Sequence, residues 1–457
     1  MNNKLFFLDQ HGCAKNQVDG ELIIGHLAED GWVRTDEPEK ASLIIVNSCG
    51  FIESAKAESI NSVIQARAQY PNAKILLAGC LAERYQNEFA ESFEEVDGLL
   101  GNGDLSLVRE AVKELEQGKK PDIKAPQNGV CAGERPELLS FAGSAFVKIT
   151  EGCNNRCSFC AIPLIRGNLR SRPIEDIVAE IRMLLLRGVF EINLIGQDLA
   201  SYGKDFQDKD STSSMLVKLL EEICTLKGDF WLRLLYIHPD NFPKDLIDAI
   251  KKDKRILPYF DIPFQSGNND IIHSMNRHGN AETYRQLVAK IRNELPDSVL
   301  RTTFLTGFPG EDEAKFKSTL DFLKEIEPDW SGCFAYSPEE GTPAEKMKAK
   351  RVSGRTAKKW CTELEKAQQT VTEKRLACHC NKKCDVLIEE IVPFKEGEET
   401  GFVIGRAWFQ APEVDGAAVI SYDVTDPSQV SQISVGARIP VMISSVRGVD
   451  VEGFMIK

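Results

Sequence analysis

The sequence predicts an α/β protein with three parts. These are an amino-terminal doubly wound α/β domain, a central partial (βα)6 barrel, and a small carboxy-terminal antiparallel β-barrel. Strand-like and helix-like segments alternate from residue 5 to residue 377, and alternation of that kind implies a parallel sheet. A Gly-, Pro- and Lys-rich stretch at 117–143 interrupts the alternation and reads as a linker. Beyond residue 385 the pattern changes to short alternating runs separated by Gly, Pro and Asp. The expected boundaries are therefore 1–116, linker 117–143, 144–377 and 378–457.

In the first part, residues 5–8 (LFFL), 43–47 (LIIVN), 74–78 (KILLA) and 97–100 read as strands. Helices are expected at about 18–29, 54–68, 82–92 and after Asp104. In the middle part, strands are expected near 145–150, 191–195, 231–236, 259–262, 300–305 and 332–336, with helices such as 174–186 and 281–295 between them. Six βα units exceed one mononucleotide-binding half and fall short of an eight-fold barrel. A cofactor and a substrate are then expected to meet at the strand carboxyl ends. Residues 337–351 form a second polar connection, and 355–377 one charged helix. The runs VLIEEIV, GFVIGRAWF, AAVISYDV and RIPVMISSV have the spacing of a small barrel.

A chain of 457 residues has material for real cores, and 42% hydrophobic with 27% charged residues places it among soluble globular proteins. No apolar run approaches membrane-spanning length, and residues 1–8 lack the features of a signal peptide, so a cytoplasmic protein without membrane contact is expected. Thirteen cysteines, an odd number, point to metal or redox chemistry rather than a disulfide framework. A net charge of −13 argues against a phosphate-gripping surface overall and favours a basic partner.

Cys153, Cys157 and Cys160 form a C-x3-C-x2-C array directly after a strand-like run. Thiolates so close in sequence hold a metal or an iron–sulfur cluster. Three ligands leave one coordination position open, which is where chemistry occurs. Cys13, Cys49 and Cys80 each follow one of the first three strands, and each adjoins a glycine. Loops at the strand carboxyl ends share one edge of an open sheet. These cysteines therefore either converge as a second three-thiolate site or are unrelated thiols at loop starts. Asn16 and Asn47 are candidate donors to cluster sulfurs, or simple turn residues.

Four further residues are candidates for a small polar cofactor: Phe159 inside the cysteine loop, and Gln197, Gln265 and Arg301 at or near strand ends. The turn Thr306-Gly307-Phe308-Pro309-Gly310-Glu311 offers a close backbone approach. Gly101-Asn102-Gly103-Asp104 resembles the start of a dinucleotide fingerprint without its third glycine, and Asp104 reads more simply as a helix N-cap. Cys378-His379-Cys380 with Cys384 matches no common zinc-finger spacing. Cys131, Cys224, Cys333 and Cys361 read as thiols without a metal role, and no Ser–His–acid triad is evident.

The C-x3-C-x2-C array is similar to the signature of radical S-adenosylmethionine enzymes. Gly12-Cys13, Asn47-Ser48-Cys49 and Gly79-Cys80 resemble the upstream pattern of the methylthiotransferase branch. The resemblance covers nearly the whole chain, including a terminal barrel of the TRAM type. One sub-branch modifies an adenosine in transfer RNA; the other modifies an aspartate of the small-subunit ribosomal protein numbered twelve (uS-twelve). Residues 12–19 (GCAKNQVD), 334–342 (FAYSPEEGT) and 411–416 (APEVDG) resemble the ribosomal-protein branch. Gly20, where the family usually has serine, and Gln17, in place of a common leucine, are departures. Residues 385–457 carry 12 acidic and 5 basic residues, which suits a basic protein partner better than RNA.

The resemblance implies two 4Fe-4S clusters, one on Cys153, Cys157 and Cys160 and one on Cys13, Cys49 and Cys80. It also implies S-adenosylmethionine as radical source and methyl donor, and hydrogen abstraction from the β-carbon of the target aspartate. Sulfur would be delivered from the second cluster, and the electron would come from a reductant protein such as flavodoxin or ferredoxin. The transfer-RNA enzyme is the alternative within the family. A non-catalytic iron–sulfur carrier or a zinc-dependent structural protein are the alternatives outside it.

Overall fold

The computed structural model describes residues 4–206, 214–393, 397 and 399–456. Lys395, Glu396, Glu398 and Lys457, which enter the charge of the terminal barrel, lie outside the described residues, as do residues 1–3 at the start of the chain.

The first sheet is built from buried runs rich in Leu, Ile and Val. The strand Leu43–Ser48 is buried at every position, as a strand covered on both faces must be. Six parallel strands run in the order Val33–Arg34, Leu5–Gln10, Leu43–Ser48, Lys74–Gly79, Gly98–Leu100, Asp122–Ile123. The strand order reverses between Leu5–Gln10 and Leu43–Ser48, which opens a crevice at their carboxyl ends. Both edge strands escape the sequence pattern because each has only two residues. One of them, Asp122–Ile123, lies in the stretch expected to be a linker. The first helix begins at Ala14, directly after Cys13 and earlier than its apolar periodicity suggests. The helix expected at 82–92 is broken at Tyr85 into Cys80–Arg84 and Gln86–Ser92.

The central part holds six parallel strands in reverse chain order: Trp330–Ala335, Val299–Thr306, Ile256–Asp261, Trp231–Leu234, Glu191–Ile195 and Ser144–Lys148. Alternate residues divide between two faces. Val147, Leu194, Leu232, Phe260 and Phe304 pack outward against the helices. Phe146, Trp231, Tyr259 and Trp330 pack on the other face with residues of the first helix and of the terminal barrel.

The terminal barrel closes in the order Lys383–Val392, Thr400–Ala407, Ala418–Asp423, Asp450–Met455, Arg438–Arg447. The expected antiparallel pairing holds except between Ala418–Asp423 and Asp450–Met455, which run parallel. The barrel is fixed to the central sheet by polar anchors. Arg406 pairs with Glu191 at 2.6 Å. Arg233 pairs with Glu191 at 2.9 Å and donates to the Trp408 carbonyl at 2.9 Å. Trp330 Nε1 donates to the Phe409 carbonyl at 3.0 Å. No helix among the described residues is long and apolar enough to cross a membrane.

Candidate iron–sulfur and substrate site

All six cysteines of the two sets line one cavity of about 400 Å³ between the first and central parts. A larger hollow of about 810 Å³ on the amino-terminal part has no cysteine in its lining. Its Arg109 is already paired with Glu29 and Asp30.

The scattered set converges because each loop after a strand end is pulled tight by a glycine. Gly12 has φ +90°, and a Cβ there would lie 3.0 Å from Cys49 Cβ. A Cβ on Gly50 would lie 2.8 Å from the Cys80 carbonyl oxygen, and one on Gly79, at φ +92°, 2.7 Å from Asn47 Oδ1. Only a hydrogen fits at these places. Asn16 Nδ2 donates to the carbonyls of His11 (2.7 Å), Asn47 (3.0 Å) and Ser48 (3.2 Å). Asn47 Nδ2 returns a bond to the Asn16 carbonyl at 2.8 Å. The two asparagines thus lace the loops together from a helix and a strand, and neither is a turn residue. The departure at Gly20 is matched by Gln10, whose Oε1 would lie 2.2 Å from a Cβ at that position.

Asn16, marked in the sequence, reaches a sulfur as an acceptor, its Oδ1 taking a long contact from Cys80 Sγ at 3.9 Å. The donors to that sulfur are residues not marked for this role. Arg166 donates to Cys80 Sγ at 3.1 Å and Asn102 Nδ2 at 3.5 Å. Asn102 lies in the glycine-flanked turn, and Asp104 beside it accepts from Ser106 N as an N-cap. Arg166 also pairs with Asp19 at 2.8 Å and Glu151 at 2.7 Å. Lys148 pairs with Glu151 at 2.7 Å and also with Asp19, so a buried charge network joins the two parts.

The clustered set occupies the loop after Ser144–Lys148 and Thr150–Glu151. Gly152, at φ +69°, passes so close to the Asn168 carbonyl that a Cβ would lie 2.0 Å from its oxygen. Cys153 N donates to the Gly167 carbonyl at 3.1 Å and Cys160 N to that of Cys157 at 3.0 Å. His238 Nε2 lies 3.7 Å from Cys157 Sγ, and burial with the nearby Arg277 cation pulls its pKa down to about 4.

Burial pushes the Cys49 thiol up to about 12 and Cys153 to about 11, and raises Cys80 and Cys160 as well. Neighbouring thiols of each set add to the rise. Burial acts in the same direction on Cys13, but the Lys15 and Arg166 cations override it and lower that pKa. Thiols gathered on one cavity, reachable from it as Cys13 is and closed in as Cys80 is, are what a thiolate-binding metal group requires, because coordination itself removes the protons. Among the described residues, no His, Cys, Asp or Glu side chains are grouped as a single ion would need. A multi-iron cluster places each cysteine on its own iron, so the six positions and the glycine-cleared loops fit such clusters.

Phe159, Gln197 and Gln265 line the same cavity. Phe159 also packs against the cluster containing Ile271 and Phe308, and Gln265 holds φ +70°. Arg301 does not reach it. It is the third residue of its strand, and its guanidinium faces Asp261 (3.8 Å) and Asp415 (3.3 Å) of the terminal barrel. That replaces the expected cofactor contact with a domain anchor. The turn 306–311 is likewise occupied: Glu311 accepts from Gly307 N, and Thr306 Oγ1 donates to the Ala357 carbonyl at 3.0 Å. His379 stacks on Phe409 at 3.9 Å between ring centroids, while Cys378 is exposed, an arrangement of packing rather than ligation. Cys333 and Cys361 lie 3.0 Å apart, a proximity that no local pattern signals.

Next to the Cys49 loop, Arg84 Nη1 donates to the Gly50 carbonyl at 2.9 Å. Glu339 pairs with Arg84 at 2.8 Å and Lys56 at 3.1 Å, clamping the central part to the first. Glu339 belongs to the 334–342 run that distinguished the two sub-branches.

Three family models match in succession: Uncharacterized protein family UPF0004 at residues 5–101, Radical SAM superfamily at 147–323, and TRAM domain at 382–456. The chain is 48% identical to the ribosomal protein uS12 methylthiotransferase RimO of Treponema denticola, over 98% of this chain and 100% of that one. It is 40% identical to the RimO of Desulforamulus reducens, over 89% and 90% of the two chains. Among solved structures, the radical S-adenosylmethionine methyltransferase TsrM from Kitasatospora setae, with cobalamin and a 4Fe-4S cluster bound, superposes with a TM-score of 0.55 at 14% identity. That match covers 75% of this chain and 77% of the other, a likeness of fold.

Proposed function

The chain belongs to the RimO family of ribosomal protein uS12 methylthiotransferases, and from that premise we propose that it exchanges a β-hydrogen of a uS12 aspartate for a methylthio group. It is a radical S-adenosylmethionine transferase. The observation that carries the proposal is the convergence of both three-cysteine sets on one cavity. In this reading Cys153, Cys157 and Cys160 hold one 4Fe-4S cluster, and Cys13, Cys49 and Cys80 hold a second.

When bound, the clusters and S-adenosylmethionine supply an electron, a carbon radical able to break an unactivated C–H bond, sulfur and a methyl group. The protein supplies position and dryness. Phe51, Ile162, Ile165 and Phe334 give the cavity an apolar lining that keeps water from a reactive carbon. Phe159, Gln197 and Gln265 are the proposed contacts to S-adenosylmethionine. Arg166 offsets thiolate charge at Cys80 and, through Asp19 and Glu151, fixes the distance between the two cysteine sets.

The acidic terminal barrel is the proposed docking element for a basic ribosomal protein. A flavodoxin- or ferredoxin-like reductant and a cytoplasmic location follow from the same reading. A strain lacking this chain, compared with its parent by mass spectrometry, is expected to lose the methylthio mass on uS12 while its transfer RNA keeps its own. Loss from transfer RNA alone would overturn the substrate assignment.

A further inference from the structure

Four cations line the cavity: Lys15, Arg156, Arg166 and Arg277. The three arginines are occupied. Arg156 donates to Asn168 Oδ1 at 2.6 Å, Arg166 to Asp19 and Glu151, and Arg277 to the Pro263 carbonyl at 2.6 Å. Lys15 differs. It is 6% exposed, yet among the described residues no carboxylate stands within the 4.0 Å of an ion pair, and the negative charge it chiefly acts on is that of the neighbouring Cys13 sulfur. Its ammonium instead rests 3.4 Å from the centroid of the Tyr236 ring. An aromatic face holds a cation in place without neutralising it and without consuming its three N–H donors. A buried ammonium with free donors, aimed into a cavity, is a site for an anion.

Lys15 stands two residues beyond Cys13, on the first turn of the helix that starts there. We propose that Lys15 is the receptor for the carboxylate of the target aspartate, and so a specificity-determining residue. The inference rests on the substrate reading above. In aspartate the carboxylate is bonded directly to the β-carbon. Fixing the carboxylate on Lys15 therefore holds the reacting carbon one bond away, beside Cys13 and within the cavity that both cysteine sets line. A neutral base or an amide side chain can accept an N–H but brings no charge to balance the buried ammonium, which disfavours it.

The test is a binding cycle with the reconstituted full-length enzyme. It uses K15M and K15R together with uS12 and uS12 carrying asparagine at the target aspartate. Iron content and cleavage of S-adenosylmethionine without uS12 are measured on K15M first, because Lys15 lowers the pKa of the Cys13 thiol, and binding is compared on iron-loaded protein. The Kd and KM of K15M for uS12 are expected to rise about ten- to a hundredfold, the loss expected for a charged hydrogen bond. K15R is expected to recover part of that loss. The asparagine substrate should weaken binding to the wild type by a similar factor and cost nothing further on K15M. Equal penalties on both enzymes, or unchanged binding by K15M, overturn the proposal. If K15M does not load iron, the wild type alone decides: equal affinity for the two forms of uS12 overturns it. Failure of the wild type to methylthiolate uS12 would instead remove the substrate reading. Unchanged Lys15 behaviour alongside intact methylthiolation removes only the role of Lys15.

Discussion

The Arg166 guanidinium donates to Cys80 Sγ at 3.1 Å while pairing with Asp19 at 2.8 Å, so one buried side chain of the central part touches both a cysteine and an acid of the first. Glu151 completes its surroundings at 2.7 Å. Replacing Arg166 with methionine leaves two buried carboxylates short of a partner. A loss of about 3–5 kcal/mol in stability is expected, the range for breaking one side of a buried ion pair. Urea unfolding of R166M against the wild type measures it; a change within about 0.5 kcal/mol, as surface substitutions give, would contradict the role assigned to the network.

Gly12→Ala tests how closely the scattered cysteines are held. The new methyl would lie 3.0 Å from Cys49 Cβ and 3.3 Å from its sulfur, on a backbone at φ +90°. Destabilisation of about 1–3 kcal/mol is expected from the backbone conformation alone. Iron bound per chain is expected to fall in G12A while the C-x3-C-x2-C set stays loaded. Full iron content in G12A would show that the loop tolerates a side chain.

Glu191 gives a dependence on pH. It is fully buried; burial would raise its pKa, but Arg406 and Arg233 pull it from 4.5 to about 2. A carboxyl depressed in the folded state contributes stability that is complete above about pH 4.5. That stability is lost as pH falls toward 2, on the order of 3 kcal/mol in all. Urea titrations of the full chain between pH 7 and pH 3 are expected to show this decline. E191Q removes the titrating group, so the decline flattens, from a lower starting stability.

Much of this was legible because the signals were local. The six central strands repeat as apolar runs, and the cysteines mark the ends of the strands that carry them. What escaped was set by tertiary contact. Arg301 has the sequence position of a strand-end cofactor contact, yet alternation along its strand and the approach of Asp415 turn it toward the terminal barrel. Arg166 carried no motif of its own, since its partners lie 86 to 150 positions away in the first part, with only Glu151 nearby. Asn16 and Asn47 fit a turn residue or a sulfur partner equally well from the sequence, because a side chain lacing backbone carbonyls across two loops has no sequence period.

The division of labour between two cysteine sets on one cavity is tested most directly by mass spectrometry of uS12 incubated anaerobically with reductant and S-adenosylmethionine. The wild type is expected to add a methylthio group. The C13A/C49A/C80A variant is expected to keep about half the iron, one cluster of two, and to form 5′-deoxyadenosine without adding the group. Methylthiolated uS12 from that variant would contradict the account.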